Sequence, residues 1–113
     1  MSRPAKVIID LGALRHNCQL ANKLSPESKT MAVIKADAYG HGAVQVARAL
    51  EGLVPAFGVA CIEEALELRE AGIDMPIHLL EGAFSNDEIH IAANNDFSLA
   101  VVNHEQKKAL LDC

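Results

Sequence analysis

Between residues 31 and 102 the sequence alternates four times between a short apolar run and an amphipathic one, and few folds accept that rhythm. The short runs are Met31–Ala36, Phe57–Ala60, Ile77–Glu81 and Ser98–Val102. The first, MAVIKA, is continuously apolar except for its lysine, as a strand covered on both faces should be. Helical patterns follow over Ala43–Leu50, Ile62–Ala71 and Asn86–Asn94, and another begins near His104. Gly52 and Gly72 stand where helix C-termini want a left-handed residue, and Pro76 follows as a stop signal. Ser85 with Glu88, and more loosely Asn103 with Gln106, have the spacing of an N-terminal capping box. A strand–helix repeat of about twenty to twenty-five residues implies parallel strands joined by crossovers. An open doubly wound sheet and a closed (β/α)8 TIM-type barrel both satisfy it, and four units are half of a barrel.

Upstream, Ala5–Asp10 (AKVIID) predicts a short strand with Asp10 as a helix N-cap. Leu11, Leu14, Cys18, Ala21 and Leu24 then recur at helical spacing until Ser25-Pro26 interrupts them. The final pattern, His104 to Cys113, stops inside a helix. Half a barrel ending there would leave strand edges and an apolar helix face open, so a longer protein is expected. A small flavodoxin-like domain is the alternative. No linker or low-complexity tract divides the chain.

Half of the residues are hydrophobic but only 4% are aromatic and none is Trp, so Ala, Val, Ile and Leu must build the core. A net charge of -5 without clustered Lys or Arg argues against a nucleic-acid surface. The longest apolar stretch, Leu53 to Ile62, contains Pro55 and Gly58 and is too short to span a bilayer. After Met1-Ser2-Arg3-Pro4, Lys6 and Asp10 leave no room for a signal-peptide apolar region, which makes the cytoplasm the default location. Cys18, Cys61 and Cys113 are widely spaced and odd in number, which suits free thiols in a reducing compartment rather than disulfides or a metal site.

The chemistry concentrates in Lys35-Ala36-Asp37-Ala38-Tyr39-Gly40-His41-Gly42, placed after the first buried strand. In parallel α/β sheets the C-terminal strand ends face the ligand. A lysine amine emerging there from low-dielectric packing suits Schiff-base formation with an aldehyde. Gly40 and Gly42 permit a sharp turn close to a bound group, and Tyr39 offers a hydroxyl to a phosphate oxygen. Singly, each residue has a plainer explanation. A lysine ending a strand is usually a solvated gatekeeper, a lone tyrosine a lid on the core, and Asp37 a partner for its own backbone. His41 alone is more often a loop histidine than a base, and the two glycines do not make a dinucleotide or Walker loop.

Taken whole, Met31 to Gly42 closely resembles the pyridoxal-phosphate attachment signature of the alanine racemase family. The likeness continues in Val7 to Asn17, in Phe57-Gly58-Val59-Ala60 with Glu63-Glu64-Ala65 and Leu68-Arg69, and in Leu79-Leu80-Glu81-Gly82. It covers essentially this whole chain and about a third of a full-length racemase. Asp37 departs from the family, which more often has Asn there.

The resemblance implies an α/β fold that is the N-terminal half of a (β/α)8 TIM-type barrel. Residues 1–10 would be a leading strand joining a C-terminal β-domain, and residues 11–113 an incomplete cofactor-binding barrel. It implies pyridoxal 5′-phosphate as cofactor, with Lys35 as Schiff-base lysine and one of two bases in the interconversion of L- and D-alanine. Tyr39 would contact the cofactor phosphate and Val33 would pack beside the ring; no metal is implied. The second base, a tyrosine of the partner subunit, and an arginine at the pyridine nitrogen would lie beyond residue 113. The full-length protein would be a cytoplasmic homodimer acting on alanine, without nucleic-acid or membrane partners, and D-alanine would serve as a peptidoglycan precursor. A fragment of this extent would be inactive alone. The competing readings are a barrel racemase of broader amino-acid specificity and a non-catalytic pyridoxal-phosphate-binding barrel.

Overall fold

A computed structural model describes residues 4–113; Met1 to Arg3, the first part of the expected leading segment, lie outside the described residues. From Pro4 to Asp10 the chain forms no strand, and Val7 and Ile8 are 85% and 76% exposed. The apolar, β-branched run that predicted a strand has no neighbouring strand to pair with, and an isolated strand leaves its backbone groups unpaired.

Helix α1 (Leu11–Leu24) starts where Asp10 accepts a hydrogen bond from the Ala13 amide at 3.0 Å. Its expected apolar face is only partly used. Leu14 and Cys18 pack against the core, but Ala21 and Leu24 stay exposed, and Asn22 donates to the Leu53 carbonyl at 2.8 Å instead.

Four strands follow, β1 (Met31–Val33), β2 (Ala56–Val59), β3 (Ile77–Leu79) and β4 (Phe97–Leu99), all parallel and ordered β1-β2-β3-β4. This order decides between the two architectures. A doubly wound sheet reverses its strand order at a switch point, whereas a barrel adds strands in sequence order. Each strand leads into helix: β1 into α2 (Lys35–Tyr39) and α3 (Ala43–Leu50), β2 into α4 (Ile62–Glu70), β3 into α5 (Asn86–Asn94) and β4 into α6 (His104–Leu111). β1, β3 and β4 are shorter than their apolar runs, because the last residues of each run turn toward the next helix, while β2 has the length of its run but begins one residue earlier, at Ala56. Gly52 and Gly72 do take left-handed conformations, with φ of 80° and 88°.

Strand alternation sorts side chains onto two faces. Ala32 and Ile34, Phe57 and Val59, Ile77 and Leu79, and Phe97 and Leu99 form one core with Val46, Ala47 and Leu50 of α3 and Ala65 and Leu68 of α4. Phe57, Leu68, Ile77 and Leu79 are fully buried there. On the other face, Val33, Gly58, His78 and Ser98 lie in register as one row across the sheet. Val33 is 40% exposed and Ser98 is exposed, His78 is half-buried and Gly58 is buried, so this face is uncovered at its two edges.

Side chains stitch the unit together at both ends of the sheet. Arg69 donates to three carbonyls near the N-terminal strand ends: Ile73 at 2.7 Å, Met75 at 2.8 Å and Asn95 at 3.0 and 3.1 Å. Its guanidinium also lies 5.2 Å from the Phe97 ring centroid. At the C-terminal strand ends, the third residue of each of α4, α5 and α6 reaches back to the amide preceding its helix cap. Glu64 takes the Ala60 amide at 2.7 Å, Glu88 the Phe84 amide at 3.4 Å and Gln106 the Val102 amide at 2.8 Å. Ser85 and Asn103 complete their caps by accepting from Glu88 and Gln106, as their spacing predicts.

Candidate functional site

The segment after β1 departs from standard strand and right-handed helix geometry. Ile34 continues the ladder, its amide donating to the Gly58 carbonyl at 2.9 Å, but its ψ of 28° breaks the extended backbone. Lys35 therefore begins a turn one residue past the strand, rather than lying within a strand that runs to Ala36. Ala36, Asp37 and Ala38 take left-handed helical angles (φ 51 to 56°, ψ 42 to 46°), and Tyr39 has φ 56°. Left-handed winding costs an L-residue about 1–2 kcal/mol. Gly40 (φ 88°) and Gly42 (φ 92°) end it without that cost.

Hydrogen bonds over-determine the turn. Ile34 O accepts from the Ala38 amide at 3.0 Å, and Asp37 O accepts from Gly40 and Gly42 at 3.1 and 2.9 Å. Asp37 Oδ1 takes the Ala43 amide at 2.8 Å, satisfying the first residue of α3. An asparagine could accept that bond too; the acid adds negative charge where the helix dipole favours it. His41 Nδ1 sits 3.0 Å from the Ala38 carbonyl, a backbone contact within the loop. Strain of this kind persists only where the surrounding hydrogen bonds hold it. Ala36→Gly should relieve part of it and raise stability by up to about 1 kcal/mol, against the usual penalty for that change. Chemical denaturation of the full-length protein measures this, and a loss of 1 kcal/mol or more would count against the strain.

This geometry gathers the residues singled out from sequence at one end of the sheet. Val33 closes β1 on the partly uncovered face, Lys35 is half-buried at the start of the turn, and Tyr39, at its end, is 61% exposed. Glu64 was not singled out as a site residue. Its second carboxylate oxygen accepts from the Ala36 amide at 2.7 Å, directly after Lys35, while the first holds Ala60. Its position as third residue of α4 was the available signal, weakened because the cap is Cys61 rather than Ser or Thr. Burial pushes the Cys18 thiol above its ordinary value. Burial does the same for Cys61, helped by the Glu63 and Glu64 carboxylates and opposed by a backbone hydrogen bond from Glu64. Both thiols stay protonated at neutral pH and are poor nucleophiles. All three cysteines are free. Among the described residues no helix is long and apolar enough to cross a membrane, and no cluster of three or more His, Cys, Asp or Glu could hold a metal.

Four parallel strands in sequence order, each followed by helix, make this the N-terminal half of a (β/α)8-type barrel, carrying an amine at its C-terminal mouth. More narrowly, the chain belongs to the family described as alanine racemase, N-terminal domain, whose model matches residues 9–113. An alanine racemase of Xanthomonas axonopodis pv. citri is 56% identical over 110 residues, covering 97% of this chain and 30% of the relative. The solved alanine racemase of Acinetobacter baumannii superposes with a TM-score of 0.89 at 39% identity, over 92% of this chain and 29% of that one. A histidine racemase from Leuconostoc mesenteroides subsp. sake superposes with a TM-score of 0.79 at 31% identity, over 90% of this chain and 27% of its own. The chain spans about 30% of the length of the curated relatives it matches.

Proposed function

We propose that this chain is the cofactor-bearing first part of a pyridoxal-phosphate-dependent alanine racemase, with Lys35 as the lysine that binds the cofactor and serves as one of its two bases. The observation that carries the reading is the half-buried Lys35 at the start of a strained turn on the C-terminal rim of the half-barrel. The local donor set fits the cofactor: an amine for the aldehyde, an exposed phenol at Tyr39 for the phosphate, and an apolar Val33 for the ring. When bound, the cofactor would supply a carbonyl carbon for imine linkage and a conjugated ring that spreads the charge left when an α-proton departs.

The residues of this chain bind, orient and move a proton. Lys35 Nζ would be the point of covalent attachment and would hold the proton taken from the α-carbon on the D-isomer's face. The Tyr39 hydroxyl would donate to a phosphate oxygen and Val33 would support one face of the ring. Tyr39 is the only tyrosine of the chain. By the family likeness, the second base would be a tyrosine from outside this chain, contributed across a homodimer, and an arginine from outside it would meet the pyridine nitrogen. In this reading residues 1–10 join a C-terminal β-domain, which the exposed Val7 and Ile8 support, and residues 11–113 form the first half of the barrel. In this reading the protein works in the cytoplasm.

The full-length protein, incubated with single L-amino acids in D2O, should exchange the α-hydrogen of alanine and yield D-alanine, while the 113-residue chain alone should do neither. The likeness to a histidine racemase favours one second reading, a barrel racemase of other or broader specificity. Faster turnover of histidine, lysine or arginine than of alanine would establish it and reject alanine as the substrate. Cofactor binding with no α-hydrogen exchange on any amino acid would reject a racemase altogether.

A further inference from the structure

The end of the β1–β2 ladder contains a side chain where backbone pairing should be. With Ile34 N bonded to Gly58 O, parallel pairing would next bond Ala60 N to Ile34 O, and then Ala36 N to Ala60 O. Neither rung forms. Ile34 O is taken by the Ala38 amide of the left-handed turn. The two amides left over, Ala60 and Ala36, are both taken by the Glu64 carboxylate, each at 2.7 Å. The carboxylate replaces two rungs and wedges β1 from β2 where Lys35 leaves the sheet.

Gln106 shows why the residue type matters. It occupies the same place in α6 as Glu64 does in α4, and it also ties its own loop to the preceding one. Gln106 meets one amide donor through its oxygen and the Glu81 and Ala83 carbonyls, at 3.0 and 3.3 Å, through its nitrogen. Glu64 meets two donors and no acceptor. An amide matches the first environment and a carboxylate the second.

We propose that Glu64 is a positioning residue for Lys35: its two-pronged carboxylate holds the Ala36 and Ala60 amides, fixing the backbone on the C-terminal side of the lysine. This rests on the cofactor-binding role of Lys35. A peptide unit anchored at Ala36 N sets the direction in which the Lys35 side chain leaves the rim, and a misplacement of about 1 Å can cost about 100-fold in rate.

The test uses the full-length, cofactor-loaded enzyme. Glu64→Gln keeps size and shape but turns an amide donor toward one of the two backbone donors. It should lower kcat by about one to two orders of magnitude, leave KM for alanine near the wild-type value and alter the visible imine band. Glu64→Ala should fall at least as far and recover partly in formate, which supplies a free carboxylate. Gln106→Glu, which breaks the corresponding tie between the other two loops, should lower stability without changing the imine band. Glu64→Gln with wild-type kcat and an unchanged band would overturn the inference. So would losses that merely follow a lowered melting temperature and do not respond to formate. Borohydride reduction of the wild type separates the two levels. An adduct at Lys35 keeps the functional reading intact whatever Glu64 does, and an adduct missing from Lys35 removes both.

Discussion

Lys35→Ala in the full-length protein should abolish the borohydride-stable cofactor adduct and lower alanine racemisation by about 1,000-fold or more, with the fold intact. Two roles are lost together, covalent attachment and proton transfer, and general acid–base catalysis alone contributes about 100- to 10,000-fold. Lys35 makes no contribution to the buried core, which is formed by apolar side chains, so stability should change little. Peptide mapping of the reduced wild-type protein checks the position, and far-ultraviolet circular dichroism checks the fold. An adduct that survives the substitution, or a variant that still interconverts the alanine isomers at the wild-type rate, would sink the assignment.

The second large effect is expected far from the mouth of the half-barrel. Arg69→Ala should destabilise the full-length protein by about 4 kcal/mol, since hydrogen bonds to a charged group contribute about 1.5–3 kcal/mol each and the orphaned carbonyls add their own penalty. Three carbonyls, those of Ile73, Met75 and Asn95, lose their donor in one step, and Phe97 loses the cation beside its ring. Arg69→Lys should recover only part of the loss, because an ammonium lacks the planar fork that spans carbonyls from separate segments. Urea titration measures both variants; a cost below about 1 kcal/mol for Arg69→Ala would mean that water replaces the guanidinium easily. Catalytic constants measured well below the unfolding transition should change less than stability does.

These two residues mark what was and was not legible in the sequence. Lys35 stands in a string whose every member contributes to one likeness, and hydrophobic periodicity placed it beside a strand end. Periodicity reports which side chains avoid water, not which peptide units rotate, so it extended β1 to Ala36. The left-handed turn carried only two glycines as a hint, and Ala, Asp, Ala and Tyr at positive φ are held by tertiary hydrogen bonds that no local rule anticipates. Helices α3, α5 and α6 began where expected because their signals are local: a glycine turn at α3 and the side-chain caps Ser85 and Asn103 at the others. Glu64 and Arg69 each join a local backbone partner to a distant one, Ala36 and Asn95, and the distant partner is the one that chain spacing could not reveal. The segment Ala5–Ile9 forms no strand, as expected for a β-branched run whose implied partner, a C-terminal β-domain, is not in this chain: composition offers a strand, but only a neighbour makes one.

The unbroken succession of strands across the sheet has a bearing on synthesis. Every pairing joins segments that follow one another along the polypeptide, so each new unit can settle onto its predecessor as it leaves the ribosome, and none has to insert between two that have already docked. Assembly by accretion keeps the search short at each step. The same property makes this stretch a natural platform on which later-emerging segments can fold.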